Sequence, residues 1–123
     1  PGSMGAASDQ RTLSDTDKLE FDPDQWLHLV PGSYLITFNE IVNLPLDLMT
    51  LGRTRSSLLR SGVSIHTAVG DAGYRGRYQA LMVVHLAPGY WLQKGARVMQ
   101  LVFVRLARAV SQGYQGKFQG ENL

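Results

Sequence analysis

Glycine and proline divide the apolar part of this chain into short stretches, and this spacing limits what the chain can fold into. Its 123 residues include 13 glycines and 5 prolines. Between them, the segment RYQALMVVHL alternates in period two, as a half-buried strand does. YLITFNEIV, VSIHTAV and YWLQ also read as strands. Short strands joined by Gly and Pro turns predict a single all-β domain, either a barrel or a jelly roll.

Three further segments complete the predicted elements. LPLDLMTLG predicts a turn and another short strand. RVMQLVFVRL is apolar on both faces, which predicts a buried strand. TRSSLLRSG predicts the only helix, of one or two turns, with Ser56 or Ser57 as N-cap and Gly62 just past its end.

Composition and charge exclude several classes of protein. The absence of cysteine rules out a disulfide scaffold and thiolate metal sites. No apolar run is long enough to span a bilayer, and no signal peptide is recognisable, so we expect a cytoplasmic protein without a membrane partner. A net charge of +2 is too small to indicate a nucleic-acid partner.

Charge is nevertheless unevenly distributed along the chain. Residues 1–3 look like a cloning scar, and residues 4–25 form an acidic N-terminal arm with little periodicity. Bases collect in the second part of the chain, which would suit a compact anionic ligand such as a polyphosphate. The glycine-rich C-terminal segment 113–123 predicts a flexible flap.

The segment HTAVGDAGYRG places one acid, Asp71, in a Gly-rich turn three residues before Tyr74. An aspartate in such a turn commonly serves only the turn. A carboxylate on a rigid hairpin tip can also orient and activate a water molecule. The residues alone leave both interpretations open.

Four motifs in order, RSSLLRSG, HTAVGDAGYRG, GARVMQLVF and YQGKFQG, resemble the trimeric dUTPase and dCTP deaminase superfamily. The short archaeal-type dUTPases are the most similar branch, and the resemblance runs from about Leu29 to the C-terminus. It implies a distorted jelly-roll (β-clip) barrel with one short helix over residues 26–112, assembled as a homotrimer. It also implies that residues 113–123 are a flap that becomes ordered over bound triphosphate.

The resemblance also implies roles for individual residues. Asp71 would activate the water that attacks the α-phosphate, and Tyr74 would pack on the deoxyribose and exclude a 2′-hydroxyl. Triphosphate binding would involve Arg55, Ser56 and Ser57, and backbone groups of His66, Thr67 and Ala68 would lie near the base. Gln100 would contact phosphate or the water shell of the metal, and Arg97 would support the site. In the flap, Lys117 would reach the terminal phosphates and Phe118 would cover the base.

The implied reaction is hydrolysis of dUTP to dUMP and pyrophosphate, with Mg²⁺ held mainly through the triphosphate. Deaminases of the superfamily need a glutamate on the strand after the hairpin, and that position is Leu81 here, which disfavours dCTP deamination. The family's early motif ending in Asp-Leu is not matched by GAASDQRTL. This departure would fit a truncated chain or a shortened natural gene. It also keeps open an alternative function, a catalytically silent trimer that binds nucleotide or a protein partner.

Overall fold

The computed structural model describes residues 1–123 and contains eleven strands and one helix. The strands are β1 (Ser3–Met4), β2 (Arg11–Thr12), β3 (Trp26–Leu29), β4 (Gly32–Thr37), β5 (Val42–Asn43), β6 (Leu48–Thr54), β7 (Val63–His66), β8 (Arg75–Gly76), β9 (Gln79–Val84), β10 (Tyr90–Gln93) and β11 (Met99–Arg105), and the helix is α1 (Ser56–Arg60). The predicted all-β class with one short helix is confirmed. The helix is too short to cross a bilayer.

Three antiparallel strand pairs are nested inside one another. β5 pairs with β8, β4 with β9, and β3 with β10, so the chain forms one long antiparallel hairpin interrupted by other elements. Wrapping such a hairpin on itself gives jelly-roll connectivity. β7 adds to β9, whereas β6 pairs with β11 outside the nested set, over seven residue pairs. The result is the distorted jelly roll that was predicted.

The alternation seen in RYQALMVVHL corresponds to one core face and one outer face of β9. Ala80, Met82 and Val84 are 4%, 0% and 2% exposed, whereas Leu81 between them is 43% exposed. These three residues form the core with Leu29, Leu58, Val63, Ile65 and Val98. The core therefore lies between the β4–β9–β7 sheet and the helix, and it holds β7 at a fixed position just before the hairpin that carries Asp71.

The predicted helix exists, but its predicted serine cap is wrong. The N-cap is Arg55, and no side chain caps the helix. The Arg55 N–H donates to the Val98 carbonyl at 3.1 Å, so β6 runs without a break into α1. Because the strand ladder already fixes the start of the helix, the serine hydroxyls are not needed there. The predicted end is confirmed, since Gly62 follows the helix with φ +76°.

The prediction that β11 is a buried strand is wrong for the single chain. Val102, Phe103 and Val104 are 41%, 57% and 38% exposed. Val102 pairs directly with Leu51 of β6, which is 39% exposed, so the two strands present a shared apolar face. The apolar composition of β11 indicates that the strand favours burial. In a single copy of the chain, however, no other element covers its apolar side chains.

Candidate active site

The hairpin that carries Asp71 is fastened to β6. Gly70 and Thr50 exchange two backbone hydrogen bonds of 2.9 and 3.0 Å, and the Tyr74 N–H donates to the Asp71 carbonyl at 3.1 Å. Gly73 at the tip has φ +84°, a conformation that glycine adopts without strain. The Asp71 side chain is exposed and has no hydrogen bond or ion pair with another protein group. Its carboxylate is therefore free to accept from water.

A cluster of tyrosines lies directly behind the hairpin. The rings of Tyr74 and Tyr78 stack with centroids 4.8 Å apart, and Tyr114 meets Tyr74 edge-on at 5.7 Å. Tyr74 is only 4% exposed, and its hydroxyl donates to the Glu121 carboxylate at 2.8 Å. The hydroxyls of Tyr78 and Thr50 share a hydrogen bond of 2.8 Å. The cluster gives the site a rigid aromatic wall.

Both inner tyrosines resist ionisation. Burial, with the hydrogen bond to Glu121 and its negative charge, raises the pKa of Tyr74 well above the ordinary value of 10.0. Burial also raises the pKa of Tyr78; the hydrogen bond to Thr50 acts in the opposite direction, and the nearby Asp71 charge adds to the rise. At neutral pH both phenols therefore stay protonated, and Tyr74 remains a donor to Glu121.

Gly70 fits this wall because it has no side chain. A Cβ there would lie 1.9 Å from the Thr50 hydroxyl oxygen and 2.0 Å from that of Tyr78. Any larger residue would separate these two hydroxyls. The glycine just before Asp71 therefore brings the hairpin into close contact with β6.

The hairpin, β6 and the tyrosines enclose a cavity of about 200 Å³. Its lining includes five of the residues that the sequence assigns to the site, namely Thr67, Ala68, Asp71, Tyr74 and Phe118. The only charged residues in the lining are Asp71 and Glu121, and no lysine or arginine is among them. The cavity can therefore accommodate an uncharged ring beside a free carboxylate, but it contains nothing to neutralise phosphates.

The C-terminal segment 113–123, here called the tail, is docked on this hairpin. The Tyr114 N–H donates to the Ala72 carbonyl at 2.8 Å, and the Gly120 N–H donates to the Arg75 carbonyl at 2.7 Å. Further along, the Arg77 N–H donates to the Glu121 carbonyl at 3.0 Å. The tail thus forms one side of the cavity, with Tyr114, Phe118 and Glu121 in its lining.

The residues that the sequence assigns to phosphate binding lie outside the lining of this cavity. Arg55, Arg97 and Gln100 line a larger depression of about 1280 Å³, which adjoins the cavity through the shared lining residues Tyr78, Gln79 and Leu101. The Arg55 guanidinium donates to the Arg97 carbonyl at 3.2 Å, which holds the two arginines together. Ser56 and Ser57 are exposed at the start of α1, beside Arg55. None of these residues lines the cavity that contains Asp71.

Two other predicted residues also stay out of the cavity lining. The His66 imidazole contacts the Ser64 hydroxyl at 2.9 Å, and His66 pairs with Leu81 in the sheet. Lys117 is exposed, with its ammonium 5.7 Å from the ring centre of Phe118. The guanidinium of Arg11 in β2 lies 6.0 Å from the same ring centre. Phe118 is therefore the point where the N-terminal arm and the tail meet.

Several residues of the site carry no recognisable signal in the sequence. Thr50 lies within β6, and Tyr78 lies directly before β9, where the alternation of RYQALMVVHL groups it with the core residues Ala80 and Met82. Tyr114 and Glu121 fall in a segment whose composition indicates mobility. Glycine spacing locates the hairpin, but it cannot show which distant strand or tail residue packs against it.

No group of three or more histidine, cysteine or acidic side chains is close enough together to hold a metal ion. Asp71 and Glu121 line the same cavity, and the Glu121 carboxylate is already bonded to Tyr74. The residues present therefore do not form a protein cage for magnesium. They are compatible with a magnesium ion whose ligands are mostly phosphate oxygens and water.

Comparison with known proteins identifies the family of this chain and several of its relatives. The family described as dCTP deaminase-like matches residues 4–106. A protein of Methanococcoides burtonii named probable deoxyuridine 5′-triphosphate nucleotidohydrolase is 46% identical over 123 residues, which is 100% of this chain and 72% of the relative. A protein of Archaeoglobus fulgidus with the same name is 41% identical over 99% of this chain and 71% of its own length.

Among solved structures, the native EIAV dUTPase aligns with a TM-score of 0.48 and 19% identity, covering 81% of this chain and 91% of that one. The family match over most of the chain and the identity to the archaeal proteins agree with the four motifs and their order. The chain belongs to the dCTP deaminase-like family, and its archaeal relatives are named as dUTP nucleotidohydrolases.

Proposed function

We propose that the protein is a dUTP diphosphatase, which hydrolyses dUTP to dUMP and pyrophosphate by attack of water on the α-phosphate. The observation that carries this proposal is the unpartnered Asp71 carboxylate at a cavity walled by Tyr74. A carboxylate free of protein partners can accept a proton from water as the new bond to phosphorus forms. The names of the archaeal relatives support the same reaction.

In this proposal each wall of the cavity has a task. The stacked rings of Tyr74 and Tyr78 provide a rigid surface for the deoxyribose and leave no room for an added hydroxyl. Thr67 and Ala68 place backbone groups near the base, and Phe118 covers it from the tail. Because these groups are fixed before substrate arrives, they hold the α-phosphate at a set position relative to Asp71.

Phosphate binding is assigned to Arg55, Ser56, Ser57, Gln100 and Lys117, with Arg97 supporting Arg55. Magnesium, held mainly through the triphosphate, would neutralise part of its charge. Arginine suits this role because its planar donors match phosphate oxygens in pairs. His66 would contribute only through its backbone, since its side chain is bonded to Ser64.

Substrate choice tests the proposed function. Pyrophosphate release should be fastest from dUTP when dUTP, UTP, dTTP and dCTP are compared at equal concentrations. A tight apolar contact discriminates against an added hydroxyl by roughly 10²-fold, so we expect about that preference in kcat/KM for dUTP over UTP. Ammonia release from dCTP is not expected, because Leu81 cannot act as a general base. Equal rates with UTP would contradict the role of Tyr74, and ammonia release would contradict the assignment itself.

We also propose that the active unit is a homotrimer in which the cavity of one copy receives the arginines of another. Two observations support this proposal. No lysine or arginine side chain lines the cavity with Asp71, although the proposed substrate carries a triphosphate. Two exposed apolar pairs, Leu51 with Val102 and Leu35 with Leu81, are available to be buried between copies.

Mixing two inactive variants tests the shared site. Asp71→Asn and Arg55→Ala should each be nearly inactive alone. After unfolding and refolding together in equal amounts, about a quarter of the sites should combine an intact Asp71 with an intact Arg55, because each comes from a different copy with a probability of one half. Light scattering on the parent protein should give three times the monomer mass. A monomer in solution, or no recovery in the mixture, would reject the shared site.

A further inference from the structure

The tail is held to the hairpin mainly by backbone groups. The bonds to Ala72 and Arg75 are backbone to backbone, and the side-chain amide of Gln119 accepts from the Arg75 N–H and donates to the Gly73 carbonyl. The contact between Tyr74 and Glu121 is the only hydrogen bond that joins two side chains, one from each segment. It is therefore the one tail-to-hairpin bond that depends on the identity of both partners.

The environment of this bond strengthens it. Tyr74 is 4% exposed, and Glu121 is half-buried and lines the cavity. A hydrogen bond with an ionised acceptor in a partly buried site is stronger than a neutral one. The backbone on either side is also fixed, since the Glu121 carbonyl accepts from the Arg77 N–H. The carboxylate consequently has few other positions available to it.

The position of the bond links two parts of the site. Tyr74 stacks on Tyr78, whose hydroxyl reaches Thr50 on β6, so one end of the link is the rigid wall. The other end is Glu121, three residues after Phe118 in the tail. Any movement of the tail away from the cavity must break this bond, and any loss of the bond frees the Tyr74 hydroxyl.

We propose that Glu121 is a latch for the tail. By accepting from Tyr74 it holds the tail closed over the cavity and keeps the Tyr74 ring in the orientation that the sugar would meet. Glu121 is therefore a positioning residue, which acts through Tyr74 and through tail closure. The kinetic consequence rests on the proposed dUTP hydrolysis, whereas the closure of the tail does not.

Three substitutions test the latch. Glu121→Ala removes the acceptor, Tyr74→Phe removes the donor and keeps the ring, and Glu121→Gln keeps a neutral acceptor oxygen. Without the bond, hydrogen exchange of the tail amides should accelerate by roughly two- to tenfold, the effect of one net hydrogen bond. The kcat for dUTP should fall by a similar factor. Glu121→Gln should lie between the parent and Glu121→Ala in both measurements.

The double variant separates a latch from two independent effects. If the bond acts as a unit, Tyr74→Phe with Glu121→Ala should exchange no faster than either single variant. Glu20→Ala, which removes an exposed carboxylate far along the chain, is the control and should behave as the parent. Unchanged tail exchange in Glu121→Ala, or fully additive effects in the double variant, would overturn the latch.

The two proposals can fail separately. If the parent releases no pyrophosphate, the proposed function fails, and tail exchange still decides whether Glu121 is a latch. If the parent is active and kcat is unchanged in Glu121→Ala while the tail opens, then tail closure does not support catalysis and the positioning role is rejected.

Discussion

Replacing Asp71 with asparagine should lower pyrophosphate release from dUTP by about 10²–10⁴-fold, the usual contribution of a general base. The side chain keeps its shape, but the carboxylate that accepts the proton of the attacking water is gone. Binding of a non-hydrolysable dUTP analogue, measured by calorimetry, should be retained or improved, because a carboxylate near phosphates repels them. We therefore expect the turnover of dUTP to fall while the affinity for the analogue stays the same or rises.

This substitution also decides between the two interpretations of the Gly-rich turn. Asparagine serves a turn as well as aspartate does. If Asp71 only shapes the hairpin, turnover in Asp71→Asn should equal that of the parent. Asp24→Asn, at another exposed turn position, is the matched control and should leave activity unchanged. An inactive parent that still binds nucleotide would instead favour the silent trimer.

The Gly73→Ala variant should undock the tail and lower kcat/KM for dUTP by roughly 10- to 10²-fold, as expected when groups of a site are displaced by about 1 Å. Gly73 has φ +84°, and a Cβ there would lie 2.6 Å from the Gly113 Cα and 2.9 Å from the Tyr114 nitrogen. Both neighbours are backbone atoms, so no side chain can rotate to make room. Limited proteolysis should show cleavage within residues 113–123 that the parent resists.

Gly95→Ala is the control for backbone strain in that experiment. Gly95 has a nearly equal φ of +83°, but nothing lies within 4 Å of its added Cβ. Both variants carry about 1–2 kcal/mol of left-handed strain, and only Gly73→Ala also meets the tail. Equal cleavage of the tail in the two variants would show that strain, rather than the clash with the tail, is responsible.

Strands such as β9 could be predicted from the sequence, because a strand with one buried face and one solvent-facing side shows a regular alternation of its residues. β9 shows this most clearly, with Met82 inside and Leu81 outside. The residue that caps α1 could not be predicted from local sequence. The start of the helix depends on the hydrogen bond between Arg55 and Val98, which lies 43 residues later in the chain. The exposure of β11 could not be predicted either. The apolar composition of a strand does not show whether the surface that buries it comes from the same copy of the chain or from another.

The candidate site was only partly accessible from the sequence for a similar reason. Asp71, Tyr74 and Phe118 lie in motifs whose order is recognisable, and the structure brings all three to one cavity. Thr50 and Glu121 enter that cavity through pairings that span 20 and 47 residues. Such contacts depend on the finished fold, so neither residue type nor local spacing predicts them.

The nested strand pairs also determine how this chain must reach its fold. Within the nested set, pairing β5 with β8 closes a loop of more than 30 residues, and this closure carries most of the entropic cost of the set. Each outer pair then extends a hairpin whose strands are already adjacent, so β4–β9 and β3–β10 can add by zippering. A chain built in this way folds slowly for its size, because its nested pairs join strands that are far apart in the sequence.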